Sequence, residues 1–359
     1  MANLHRVRDA LVAAYISDVL DEEEFIMLYS MNSPSNPDFQ YKSDEYQFNL
    51  DKFNDDECNS YFRFQKNDIY RLKHALGVPP TVILENKSKI DGLEALCITL
   101  QRYAYPCRYG DLIKDYGRSV PQLYLAFKWM TNYIFDIHRH RISSLDQPWL
   151  SPQHLQEFAE ATHTKGAALR NCWGFVDGTV RPICRPNQHQ QVMYNGHKRI
   201  HAMKFQSVTA PNGLIAHLYG PVEGRRHDAF LLRESGLLTE LEARSHDPQG
   251  NVLCVYGDPA YPLRPQLQAP FPTVRITPEQ VAFNAAMSKV RISVEWLFGD
   301  IVNIFKFTDY KKSQKVQLSA CGKMYIVSGI LTNAHTCVYK NNTSAYFELE
   351  PPSLEEYFQ

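Results

Sequence analysis

The sequence predicts an α/β protein: a mixed sheet flanked by helices, behind an all-helical N-terminal region with a helix-turn-helix-like segment. Three observations predict it. Apolar residues recur at three- and four-residue steps up to about residue 140, then shift to strand-like runs from 172 onward. Two of those runs end on an aspartate, Asp177 and Asp258, the position where open α/β sheets place their chemistry. Thr277-Pro278-Glu279-Gln280 then reads as a capping box that opens a long helix. The expected organisation is an acidic, partly helical arm over 1–60, a helical domain over 61–150, an α/β domain over 151–310, and a C-terminal helix with an acidic tail over 311–359.

The arm comes first. Residues 1–60 hold four Lys/Arg against thirteen Asp/Glu, including Asp21-Glu22-Glu23-Glu24, whereas 61–150 hold thirteen against eight. The arm reads as a solvated helix face followed by a linker at Asn32-Ser33-Pro34-Ser35-Asn36-Pro37. A second reading has it shield a basic surface. The whole chain has a net charge of -1, which excludes a histone-like protein but not a local basic patch. At 44% hydrophobic and 21% charged residues, a fully disordered or fibrous chain is excluded too.

In the helical region, Phe64, Ile69, Leu72 and Leu76, then Leu93, Leu96 and Leu100, mark core-facing stripes. The run from Tyr109 breaks at Gly117 and restarts behind Ser119, a plausible N-cap. Helix, glycine turn and helix over 109–135 fit either a helix-turn-helix or an ordinary helical hairpin. In the first reading Arg118, Ser119 and Gln122 open the helix that meets DNA bases.

Beyond 172 the elements follow in order. Trp173–Asp177 is a buried strand, Met203–Thr209 alternates as a second, and Pro211-Asn212-Gly213 turns the chain into a third at Leu214–Tyr219. Asp228–Leu238 reads as a helix, Val252–Tyr256 as a fourth strand, and the capped helix runs to about Ile301. The eight cysteines form no C-x-x-C pair and several lie in apolar runs, the pattern of reduced core thiols. With charges near the start and no apolar run of membrane-spanning length, the expectation is a soluble protein of a reducing compartment.

Asp177, Asp228, Asp258 and Glu295 then stand in the order strand, helix, strand, helix. If the first and fourth strands are neighbours, these acids approach one sheet edge. Glu295 is expected on a half-buried face, beside Val294. Converging carboxylates stay ionised only around positive charge, and hard oxygen donors select Mg²⁺ or Mn²⁺. A pair of such ions suits phosphodiester chemistry.

Four blocks carry a resemblance: Trp173–Thr179, Gly224-Arg225-Arg226-His227-Asp228, Tyr256–Tyr261 and Val294–Gly299. In order, with Asp258 81 positions after Asp177 and Glu295 37 positions after Asp258, they resemble the PIF/Harbinger DDE transposases and their domesticated nuclease relatives. Gly329–Asn333 resembles the block that closes the family's C-terminal helix. The resemblance implies an RNase H-like catalytic core, with Asp177, Asp258 and Glu295 as the catalytic triad and Asp228 as an additional metal-site acid. It implies two divalent ions, Mg²⁺ (Mn²⁺ in vitro). Trp296 departs from the family's usual basic residue after the Glu, and Thr332 from its usual His before Asn333.

Candidate phosphate contacts are His197, Lys198, Arg199, Arg225, Lys289 and Arg291, with Lys306, Lys311, Lys312 and Lys315 as a second basic stretch. The leading expectation is a metal-dependent transposase or endonuclease. It would cut phosphodiesters at transposon terminal inverted repeats and join the 3′-hydroxyl to target DNA. A second is a domesticated, catalytically silent DNA-binding protein; a distant third is an aspartyl phosphohydrolase. Two element ends call for a homodimer or higher assembly on DNA, with apolar surface on 61–140 and 318–340 (Phe127, Met130, Met324 and Ile330 among them). The family habit implies a separate Myb-like DNA-binding partner. The expected location is the nucleus, with cytoplasmic residence in a partner's absence, and no membrane association.

Overall fold

The computed structural model describes residues 2–32, 48–316 and 318–359. The chain divides into two compact units, 1–45 and 46–359. The linker expected at 33–37 lies outside the described residues. In the first unit, helices α1 (Ala2–Ile16) and α2 (Glu22–Met31) pair through Tyr15 and Phe25, whose rings stack 4.6 Å apart. The acidic run has a local cause. Asp21 caps α2 by accepting from the Glu24 amide at 2.8 Å, and Glu22, Glu23 and Glu24 fill the first turn, where the helix dipole favours negative charge.

The second unit begins with α3 (Asp55–Phe62) and α4 (Lys66–Ala75), followed by a short antiparallel hairpin, β1 (Thr81–Ile83) with β2 (Lys89–Asp91). Helices α5 (Gly92–Ala104), α6 (Tyr109–Tyr116) and α7 (Val120–His138) complete the helical region. The glycine turn falls where the sequence places it. Gly117 closes α6 at φ 64°, a left-handed conformation that suits glycine, and Ser119 and Gln122 cap α7 reciprocally.

The side chains expected to face DNA here have intramolecular work instead. Arg118 forks onto Glu94 of α5, with contacts of 2.5 and 2.7 Å to its two oxygens, and the Glu94 side chain is only 5% exposed. Ser119 and Gln122 bond to one another. A guanidinium spent on a buried carboxylate, and two side chains spent on a helix cap, are not free donors for a base edge.

After α8 (Pro152–Thr164) the sheet begins. Its strands are β3 (Cys172–Pro182), β4 (Tyr194–Asn195, after the single-turn α9, Gln190–Met193), β5 (Ile200–Thr209), β6 (Ile215–Glu223), β7 (Cys254–Tyr256) and β8 (Leu267–Gln268). The strand order is β6-β5-β3-β7-β8, with β4 pairing the start of β5. β3 is antiparallel to β5 and β5 to β6, while β3–β7 and β7–β8 are parallel, so the sheet is mixed as expected. The first and fourth predicted strands, β3 and β7, are indeed neighbours. The helix expected at Asp228–Leu238 breaks at Gly236 into α10 (Asp228–Glu234) and α11 (Leu237–Arg244).

Helices flank the sheet: α8 and α12 (Pro278–Ile304) pack on β3, and α13 (Cys321–Tyr339) packs on β6. Trp173, Phe175, Val176, Phe205 and Val208 lie fully buried among them. The chain closes with α14 (Asn342–Phe347) and α15 (Leu354–Phe358). Asn333 of α13 ties this closure to the sheet. Its Oδ1 accepts from the Ile215 amide at 2.8 Å, and its Nδ2 donates to the Ile215 carbonyl at 3.0 Å and the Tyr357 hydroxyl at 2.9 Å. Helices α7 and α13 pack on one another and bury Phe127, Met130, Met324 and Ile330. These four side chains are thus used inside the monomer, while Leu125 and Trp129 of the same expected face stay half-buried. No helix among the described residues is long and apolar enough to cross a membrane.

Candidate active site

The parallel pairing of β3 with β7 sets the site. Phe175 is in register with Tyr256, so Asp177 and Asp258, each two residues further on, stand side by side: Asp258 just past the end of β7, and Asp177 not at a strand end as expected but inside β3, which runs on to Pro182 and pairs Asp177 with Ser207 of β5. The Asp177 carboxylate accepts from the Gly178 amide at 2.8 Å, and Asp258 accepts from the Ala260 amide at 3.0 Å. Burial pushes the Asp177 carboxyl above its ordinary value, against the opposing pull of Arg291 and the Gly178 amide; the charge of Asp258 adds to the rise. Asp258 is raised by burial as well, with the Asp228 charge adding to it and the Ala260 amide opposing.

Asp228 opens α10 and approaches β3 from the side. A Cβ on Gly178 would lie 2.6 Å from Asp228 Oδ1, so only glycine at 178 lets that carboxylate sit there. Lys204 of β5, with a side chain 8% exposed, donates to Asp228 Oδ1 at 2.6 Å and to the Arg226 carbonyl at 3.0 Å. Asp228 is thereby held in place as one half of a mostly buried ion pair.

Glu295 corrects the sequence reading. Met287, Val290, Val294, Leu297 and Ile301 take the buried stripe of α12, and Glu295 falls about 100° round the helix from Val294, on an exposed face. It meets the site through Arg291, one helical turn earlier. Arg291 donates to Asp177 Oδ2 at 3.1 Å and lies 3.8 Å from Glu295 Oε1. The structure thus brings Asp177, Asp258 and Asp228 together beside the end of β7 and joins Glu295 to them through a guanidinium. Among the described residues no three acids are drawn into one metal-sized cluster.

Two basic residues stand among these carboxylates. Arg291, a candidate phosphate contact in the sequence, pairs with Asp177, and Lys204 pairs with Asp228; both are inner counter-ions. Tyr261 is a further residue that sequence reasoning did not single out. It is buried behind the aspartates, and a Cβ on Gly257 would strike its ring at 2.6 Å. Gln206 donates to its hydroxyl at 3.1 Å, and Ser235 donates to Gln206. The donor set is oxygen-only, and its chemistry fits a hard divalent cation such as Mg²⁺.

Of the other candidates, His197, Lys198 and Arg199 stand exposed on the turn between β4 and β5, and Arg225 and Lys289 are also exposed. Trp296 has a packing role: its ring meets Tyr346 edge-on at 5.6 Å. Thr332 donates to the Ser328 carbonyl within α13 at 2.7 Å.

Residues 176–333 match the family model of DDE superfamily endonucleases. The DDE match starts one residue before Asp177 and ends on Asn333, so it encloses all four acids and the buried asparagine that ties α13 to β6. It supports a DDE transposase-like nuclease. The helical region before the sheet lies outside it. No curated protein and no solved structure matches the chain.

Proposed function

We propose that the protein is a divalent-metal-dependent DNA endonuclease of the transposase type, with Asp177, Asp258 and Glu295 as its catalytic acids and Asp228 as a supporting metal-site acid. The observation that carries this reading is the parallel β3–β7 register that sets Asp177 beside Asp258, inside the stretch matched by the DDE model. The strand order, three antiparallel strands followed by two parallel ones, supports the RNase H-like assignment. The block pattern in the sequence supports a PIF/Harbinger origin.

The four acids would hold Mg²⁺, or Mn²⁺ in vitro, as two ions. When bound, the ions supply charge that makes water acidic enough to act and offsets charge on the leaving oxygen. The chain's own part is positioning. The Gly178 and Ala260 amides fix one oxygen each of Asp177 and Asp258, Lys204 fixes Asp228, and the buried Tyr261 is itself held by Gln206. Arg291 sits where it can leave the carboxylates and meet a substrate phosphate. Lys198, Arg199, Arg225 and Lys289 give sequence-independent affinity for duplex DNA from the surrounding surface.

Strand transfer of a 3′-hydroxyl into target DNA, assembly as a homodimer or higher on DNA, a Myb-like partner and nuclear residence belong to the same proposal, on the resemblance. A silent, DNA-binding descendant is the second reading. The pairing of Arg291 and Lys204 with the acids favours it, because resident cations satisfy the site without metal. Purified protein titrated with Mn²⁺ against labelled terminal-repeat duplex separates the two. Metal-dependent nicks support the nuclease; binding without any nick supports the silent protein.

A further inference from the structure

A cavity of about 370 Å³ lies between α6–α7 and the segment around 307–324. A second, of about 390 Å³, adjoins it and shares Lys315 and Leu318, so the two form one furrow. Arg102, Lys128, Lys312, Lys315 and Arg185 line it, and among the described residues no carboxylate does. Lys128 is engaged by Glu85 at 2.7 Å, but Arg102, Lys312 and Lys315 form no salt bridge among the described residues.

Arg102 is pre-ordered. Its guanidinium lies between the rings of Tyr109 and Phe307, 4.6 and 4.2 Å from their centroids, with a buried Nε that has no hydrogen-bond partner. A fork held flat in this way loses little further freedom on meeting a phosphate. Tyr124, 44% exposed, offers an aromatic face in the same cavity. Cations, a clamped arginine and a part-exposed aromatic ring (Tyr124, perpendicular to Tyr109 at 5.9 Å) without an acid are a combination that suits a single strand. The Cys184 amide donates to the Gln314 carbonyl at 2.9 Å, which anchors the furrow just beyond the end of β3. Asp177 lies seven residues back along that extended chain, roughly 20 Å at about 3.3 Å per residue.

We propose that this furrow binds a single-stranded segment of DNA, with phosphates on Arg102, Lys312 and Lys315 and one nucleobase on Tyr124. The proposal rests on the reading of DNA as the substrate and adds a second contact region remote from the acids.

The test is fluorescence anisotropy on the full chain in EDTA, with a short labelled oligothymidylate and a duplex of equal length. Tyr124→Ala should weaken oligothymidylate binding about tenfold and leave the duplex unchanged. Lys312→Glu with Lys315→Glu should weaken it at least tenfold and lower the salt slope by about 1.4. These side chains are exposed, and melting curves check that the variants fold. Unchanged oligothymidylate affinity in both variants, equal losses for both DNAs in Tyr124→Ala, or no binding by the wild type overturns the furrow. Nicking under Mn²⁺ is read in parallel. Its absence beside furrow-dependent binding counts against the nuclease and for the furrow.

Discussion

Replacing Arg118 by alanine decides whether this residue reads DNA or holds the fold. Glu94 is 5% exposed and receives both of its close contacts from the Arg118 guanidinium. Removing the arginine strands a carboxylate in the core, a loss of about 3–5 kcal/mol for a fully buried pair. Arg118 keeps 23% of its side chain exposed, so water can enter the vacated place; the expected loss is about 2–3 kcal/mol. Position softens the loss further, since Glu94 lies in the first turn of α5, where the dipole favours it. Urea denaturation of the wild type, Arg118→Ala and Arg118→Ala with Glu94→Leu gives the cycle. The double variant should recover more than half of the loss, because an apolar side chain needs no partner. Stability of Arg118→Ala within about 0.5 kcal/mol of wild type, together with lost discrimination between terminal-repeat and random duplex, would refute the structural role and restore the base-reading one.

Asp300 of α12 has a buried Oδ2 without a hydrogen-bond partner, and burial pushes its carboxyl up to about 6. The folded value lies above the unfolded one, so its contribution is full below about pH 3.9 and is lost as pH rises through 6. Asp300→Asn should therefore raise the melting temperature at neutral pH and leave it unchanged in strong acid; no gain at neutral pH would contradict the burial argument. Lys198→Ala with Arg199→Ala, on the exposed β4–β5 turn, should weaken all duplexes alike and reduce the salt slope by about two, measured by anisotropy. A sequence-dependent loss there would mean base contacts instead.

Much of the sheet was legible because its strands are long, or end on marked residues. β3, β5 and β6 carry apolar runs of useful length, the Pro211–Gly213 turn separates two of them, and Thr277 with Gln280 announces α12. The two- and three-residue strands β8, β1 and β2 were not, since Leu267–Gln268 acquires strand geometry only by pairing with β7. Asp258 was legible as a strand end; Asp177 was not, because β3 continues to Pro182 and pairs Asp177 with Ser207. Their counter-ions were not legible. Arg291 reaches Asp177 across 114 residues, and Glu94 waits 24 residues before Arg118, separations that no local pattern encodes. The exposure of Glu295 was misjudged for a simpler reason: a residue next to a buried valine in a helix points about 100° away from it.

The central claim is that Asp177, Asp258 and Glu295 act together on a phosphodiester through divalent metal. The most direct measurement compares Asp177→Asn, Asp258→Asn and Glu295→Gln with the wild type for nicking of labelled terminal-repeat duplex under Mn²⁺, with melting curves and DNA affinity measured on the same preparations. The account predicts that each variant stays folded, binds the duplex as the wild type does and makes no nicks. Wild-type nicking by any one of the three would contradict it.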